Sequence, residues 1–368
     1  MSDETTQQPV SQYDFNPGRR KKAILAVDGG GTRGAISVAM LAELEEQTGK
    51  PVQELFDMVG GTSTGAVIAA GIGLGLTATE MLETVYLDQL PKAFGGPRGI
   101  SFWLRYLSTG LRHLYPIEPF LECLGPLAKG KKVRDLDRAI VLMTTKDMRT
   151  GNTYYIVNIG PGARMFGDWP VSGAVAASGA APVYFPPVGG NLVDGGVGVY
   201  GNPCLATLTE AMEYIGAEQG FVDNEVVCIS VGTGYALNAA AEGQAGSYTI
   251  FKWLPYVISA GMGEASLQQT FSARAIYRDR VDFRRYNPQL SRRSIAEVLG
   301  VPVPAGIEPA TLSLDSADPA ALQMMAELGR AYARAIDWRI PDQMPWDTKG
   351  GHDRPAIVPM DWSKTAFE

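Results

Sequence analysis

Twice within the first eighty residues, a short β-rich apolar run breaks into glycine and then into a helix. Residues 23–27 (Ala-Ile-Leu-Ala-Val) end at Asp28 and Gly29-Gly30-Gly31, and Ile36, Met40, Leu41 and Leu44 then recur at helical spacing. Gly49 and Pro51 stop that helix. Residues 56–59 form a second strand, which runs through Gly60-Gly61 into a small-residue helix over residues 64–76. Strand, helix and strand within some forty residues make a βαβ unit, whose parallel strands need helices over both faces. Further strands are expected at 139–144, 153–157 and 226–231, with helices near 79–89, 203–215, 256–276 and 319–336. The fold class that follows is α/β, a mainly parallel sheet covered by helices.

No repeat or low-complexity linker divides the 368 residues. A single domain is expected over 21–340, between a flexible tail at 1–20 and a proline-bearing tail at 341–368. Residues 91–115, rich in glycine, proline and aromatics (Phe94, Phe102, Trp103, Tyr106, Tyr115), read as an irregular insertion. Its aromatics suit either core packing or a lipid-facing lid.

Composition excludes several classes. With 45% hydrophobic and 19% charged residues the chain has ample core and is not disordered. A net charge of −7 argues against nucleic acid as partner, since phosphate backbones need a basic face. The basic run Arg19-Arg20-Lys21-Lys22 reads as a solvated gatekeeper. Cys123, Cys204 and Cys228 form no CxxC pair, which points to a reduced, cytoplasmic setting. The polar N-terminus lacks a signal core, and the longest apolar run, 66–76, is far short of the ~20 residues of a membrane span. Only His113 and His352 are available to any histidine-dependent chemistry.

Three motifs carry chemistry. Gly61-Thr62-Ser63-Thr64-Gly65 lies between a strand and a helix, the setting of a nucleophile elbow. There a sharp turn exposes the serine oxygen at a helix N-terminus. The bland alternative is Ser63 as a helix cap. Asp28-Gly29-Gly30-Gly31-Thr32-Arg33-Gly34 lets backbone amides face an anion, either an oxyanion or a phosphate, with Asp28 otherwise capping the turn and Arg33 pairing with it. Asp194-Gly195-Gly196 follows the apolar run 191–193 and can present a carboxylate, though Asp-Gly is also a common turn pair. Each motif is expected at the carboxyl end of a parallel strand, the shared edge where α/β sheets bind ligands. Neither histidine falls on such an end, so a two-residue Ser63–Asp194 system is favoured over a triad. An ordinary aspartate is a weak base toward an alcohol, so burial must raise its basicity.

These motifs, with the stretch 177–187 (ASGAAPVYFPP), Asn202-Pro203 and residues 229–234 (ISVGTG), make the chain resemble the patatin-like phospholipases from about residue 22 to 231. The resemblance implies a three-layer α/β/α fold around a mainly parallel central sheet, and metal-free and cofactor-free hydrolysis of fatty-acyl esters of membrane glycerolipids, with peripheral membrane contact. It implies Ser63 as nucleophile, Asp194 as base, and an oxyanion hole from the amides of Gly29, Gly30 and Gly31, with Thr64 a further donor. Arg33, Gly34, Gly61, Thr64, Gly65, Gly195 and Gly196 are the supporting motif positions, Arg33 meeting either a headgroup phosphate or a local carboxylate. It also admits a homo-oligomer and a small-molecule activator, since some bacterial members of similar length are anti-phage phospholipases switched on by cyclic nucleotides. Two rivals stand beside this reading. An actin-like sugar or acetate kinase would use the DGGGT loop for Mg–ATP but follow it with a β-hairpin, and a lipid-binding protein on the same fold would be non-catalytic.

Overall fold

A computed structural model describes residues 21–94, 113–236 and 244–339. Its sheet has seven strands: β1 (Lys22–Val27), β2 (Met58–Gly61), β3 (Ile140–Asp147), β4 (Thr153–Val157), β5 (Leu192–Asp194), β6 (Val226–Val231) and β7 (Val281–Tyr286). The order is β4-β3-β2-β1-β6-β7, with β5 pairing β3 off that path. All pairings from β3 through β2, β1 and β6 to β7 are parallel; β4 and β5 run antiparallel to β3.

Alternation along the central strands divides the core between two helical layers. Leu25, Val27, Val59, Val141 and Met143 pack toward α1 (Gly34–Thr48), α2 (Thr64–Leu74), α3 (Val171–Gly179) and α6 (Pro319–Ala335). Ile24, Ala26, Met58 and Leu142 pack the other way, with residues of α4 (Cys204–Thr209) and α5 (Ile250–Tyr277). This is the three-layer α/β/α arrangement expected from the sequence. The last helix belongs to it as much as the first: α6 lies so close on α1 that a Cβ at Gly329 would come 2.3 Å from the Ile36 carbonyl.

The expected helix at 79–89 starts at a capping box of Thr77 and Glu80 and continues as a π-helix over Met81–Gln89. That at 203–215 runs as an α-helix over Cys204–Thr209 and continues as a π-helix over Glu210–Tyr214. Phe94 and Tyr115, at the two ends of the expected insertion, are buried with Phe120 and Phe185 in one aromatic cluster. Phe102, Trp103 and Tyr106 lie outside the described residues, as do the expected tails at 1–20 and 341–368. No described helix is long and apolar enough to cross a membrane.

Candidate active site

The turn between β2 and α2 holds Ser63 at φ 56°, ψ −120°, a conformation an L-residue adopts only when its surroundings impose it. Those surroundings are backbone. A Cβ at Gly61 would sit 2.0 Å from the Gly65 carbonyl oxygen, and one at Gly65 would sit 2.2 Å from that of Val27. Glycine at both positions lets the turn close against β1. Ser63 occupies the N-cap of α2, yet its side chain makes no capping bond, which removes the helix-cap alternative. Its amide donates to Ser178 Oγ at 2.9 Å, and its hydroxyl lies close enough to the Asp194 carboxyl to favour the ionised form of that group.

How Asp194 reaches that point differs from the expectation. Its strand is antiparallel, so the carboxylate does not stand at the end of a parallel strand. In register, Gly61 of β2 faces Met143 of β3, and β3 runs on past its neighbour. Asp194 pairs with Thr145 on this overhang, two residues beyond Met143, level with Ser63 two residues beyond Gly61. The Asp194 amide donates to the Ala180 carbonyl at 3.1 Å, and its Oδ1 accepts the Gly196 amide at 2.7 Å. Gly195 is confined, since a Cβ there would lie 2.1 Å from Thr144 Oγ1. Burial raises the Asp194 carboxyl from an ordinary 3.8 to about 6, against the lowering effect of the Ser63 and Gly196 hydrogen bonds. No imidazole acts on it among the described residues. The His113 ring instead faces the Tyr115 carbonyl at 3.2 Å, and His352 lies outside the described residues.

The glycine loop closes over the elbow, with a Cβ at Gly29 only 3.2 Å from the Ser63 Cβ. It is pinned on both sides. The Asp28 amide donates to Val231 and the Gly29 amide to Gly201 (3.0 and 2.8 Å), and the Gly29 carbonyl accepts Thr233 Oγ1 at 2.8 Å. Beyond the turn, the Thr32 amide donates to the Leu314 carbonyl at 2.8 Å. The expected role of Gly29 as an oxyanion donor is therefore corrected, because its N–H is already used. Gly30 and Gly31 donate to no carbonyl among the described residues. Both must be glycine: a Cβ at Gly30 would fall 2.2 Å from Thr233 Oγ1, and Gly31, at φ 58°, has the Leu314 carbonyl 2.0 Å from where a Cβ would stand. Gly34 brings α1 against the elbow, its Cβ position lying 2.2 Å from Thr64 Oγ1, which is in turn 2.6 Å from the Tyr86 hydroxyl.

Asp28 does not pair with Arg33. Its carboxylate takes a bidentate bond from Arg285 of β7, at 2.8 and 2.5 Å, with both side chains buried. Burial alone would lower the Arg285 guanidinium; Asp28 outweighs it and holds it above its ordinary value. Ser230 and Ser266 complete the cluster around Arg285. Arg33 makes no ion pair among the described residues, and its buried Nε has no hydrogen-bond partner. Burial lowers its guanidinium, opposed by Tyr184 and Asp28. Arg285 and Leu314 had no place in the sequence reading, and Ser178 and Thr233 stood only inside matching stretches without a role.

Comparison with known proteins now places the chain. It is 29% identical over 219 residues to a cGAMP-activated phospholipase of Pseudomonas aeruginosa (strain BWHPSA011 / Pa011), covering 57% of this chain and 62% of that one. It is 25% identical over 266 residues to a cGAMP-activated phospholipase of Escherichia coli (strain TW11681), covering 68% and 72%. To the mouse 85/88 kDa calcium-independent phospholipase A2 it is 29% identical over 235 residues, 57% of this chain but 27% of that protein. The chain thus spans less than two thirds of the Pseudomonas and mouse relatives. The crystal structure of VipD from Legionella pneumophila aligns over 83% of this chain and 66% of that one, at 13% identity and a TM-score of 0.36, too loose to carry an argument. The family model described as patatin-like phospholipase matches residues 25–208, half of the sequence and the stretch that holds the glycine loop, the elbow and the Asp194 turn, and the chain belongs to that family.

Proposed function

We propose that this protein is a phospholipase A-type serine acyl hydrolase acting on fatty-acyl esters of membrane glycerolipids, which it meets at the membrane surface. The observation that carries the reading is a strained, partly exposed Ser63 whose hydroxyl acts on a buried Asp194 carboxyl that burial raises to about 6. Such a carboxyl is largely ionised at neutral pH yet is a better proton acceptor than an ordinary aspartate.

Ser63 Oγ attacks the ester carbonyl carbon as its proton passes to Asp194. The carbonyl oxygen becomes an oxyanion that accepts hydrogen bonds from the amides of Gly30 and Gly31, with Thr64 as a further donor at the N-terminus of α2. Collapse breaks the ester C–O bond, and the proton on Asp194 goes to the departing lysolipid alcohol. Water, deprotonated by Asp194, then attacks the acyl-enzyme and releases the fatty acid. As the acyl group leaves, that proton passes from Asp194 to Ser63 Oγ, so the proton Ser63 lost to the lysolipid is replaced by one from water and both residues are restored. The kinase alternative is disfavoured because the segment after the glycine loop is helix α1, where that reading needs a hairpin.

An activator belongs to the proposal. Relatives named as cGAMP- and cUMP-AMP-activated phospholipases support a cyclic nucleotide as the switch here. A lipid hydrolysis panel comparing wild type, Ser63→Ala and Asp194→Asn, each with and without cyclic dinucleotides, tests both parts. Free fatty acid from wild type alone supports the dyad, and equal release by all three proteins refutes it. Release that ignores every cyclic nucleotide tried removes the activator.

A further inference from the structure

One buried polar side chain beside the dyad has no part in the chemistry above. Ser178 is fully buried in the last turn of α3, and its Oγ accepts the Ser63 amide at 2.9 Å. The same turn also holds the base. Two residues on, the Ala180 carbonyl accepts the Asp194 amide at 3.1 Å. One residue back, the Ala177 carbonyl accepts Thr145 Oγ1 at 3.0 Å; Thr145 is the cross-strand partner of Asp194 and also reaches the Val193 carbonyl. Carbonyls at a helix C-terminus lack intrahelical donors, so this end of α3 is supplied with acceptors. Two of its three grips are backbone. The third, on the nucleophile, depends on a side chain.

The Ser63 amide needs that grip. At φ 56° its N–H points outside the helix that follows, and an unsatisfied buried donor beside a strained turn favours rotation of the 62–63 peptide. Rotation would carry Oγ away from Asp194. We propose that Ser178 is a positioning residue that holds the nucleophile turn in register with the carboxylate that takes its proton, so that one helix end fixes both members of the dyad. This rests on the Ser63–Asp194 reading.

The test measures kcat and KM for p-nitrophenyl butyrate from pH 5 to 9 in wild type, Ser178→Ala and Ser178→Thr, with Ser63→Ala as control and thermal unfolding to count folded protein. Misplacement of a reacting group by about 1 Å can cost around 10²-fold, so Ser178→Ala should lose roughly 10- to 100-fold in kcat with KM little changed. Its acidic limb should move above that of wild type, because Asp194 loses the Ser63 bond that lowers it. The groups acting on that carboxyl are the Ser63 hydroxyl and the Gly196 amide, with no charged side chain among them, so the move isolates the Ser63 bond. Ser178→Thr, which keeps the acceptor, should restore both. Folded Ser178→Ala with wild-type kcat and an unmoved acidic limb overturns the proposal. Should it fail to fold, Ser178→Cys, with its weaker sulfur acceptor, replaces it, and wild-type kcat there overturns the proposal equally. Activity in Ser63→Ala would instead defeat the dyad itself.

Discussion

Replacing Asp194 by asparagine should abolish turnover and stabilise the protein at the same time. Asparagine keeps the shape of the side chain and an Oδ1 to accept the Gly196 amide. What disappears is a charge that the fold has buried. Burial raises the carboxyl from 3.8 to about 6, which, at about 1.4 kcal/mol per pKa unit, costs the folded state about 3 kcal/mol once the group is ionised in both folded and unfolded chains. A carboxyl whose folded pKa is raised contributes its full stability only below the unfolded value, and loses it as pH rises through the folded one. Urea unfolding of wild type and Asp194→Asn from pH 3.5 to 8 reads this directly. The two stabilities should agree near pH 3.5, separate between about pH 4 and 6, and run parallel above, with the variant ahead by up to about 3 kcal/mol. Other carboxylates titrate in both proteins and cancel in the difference. A variant no more stable than wild type at pH 8, or a gap independent of pH, would refute the account of Asp194 as a carboxylate made basic by burial.

Turnover of a soluble ester should rise with pH to a plateau, with kcat/KM showing an acidic limb near pH 6, because only ionised Asp194 can take the Ser63 proton; a pH-rate profile checks it. Fluorophosphonate labelling of Ser63 should follow the same limb. Gly30→Ala would drive its Cβ into Thr233 Oγ1 and displace an oxyanion donor, so kcat should fall by about 10²–10³ while circular dichroism stays native. Asp28→Asn and Arg285→Met each leave one buried charge unpaired and should cost about 3–5 kcal/mol by urea unfolding, whereas the double variant should recover much of that loss.

The first two strand–glycine–helix units could be read from sequence because their signals are local. Glycine at 61 and 65 and the apolar spacing of α1 lie within a few residues of what they cause. β5 was expected as a parallel strand and runs antiparallel, since three residues leave no period from which to infer direction. β7 went unseen because Asp282, Arg284 and Arg285 interrupt it. Yet both arginines are buried, Arg284 on Asp282 and the Trp338 carbonyl, and Arg285 on Asp28 across 257 residues of chain. A buried charge reads as a surface one until its partner is known.

The same long-range character decides how the site is held. Residues 25–208 contain Ser63, Asp194 and the glycine loop. Yet among the described residues the loop is pinned chiefly from later in the chain. The Arg285 pair is at Asp28, the Val231 contact is on the Asp28 amide and the Thr233 contact on the Gly29 carbonyl, while Leu314 holds the Thr32 amide. The Gly30 and Gly31 amides donate to no carbonyl among the described residues, while Asp28, Gly29 and Thr32 on either side of them are bonded. Strands β6 and β7 supply that bonding by continuing the sheet beyond β1, and α6 packs on the helix that the loop opens. The C-terminal half, where no motif was recognisable beyond about residue 249, therefore helps set the shape of the glycine loop. A substitution at Arg285 or Thr233 should be felt at Ser63 through the geometry of the proposed oxyanion loop that both residues hold.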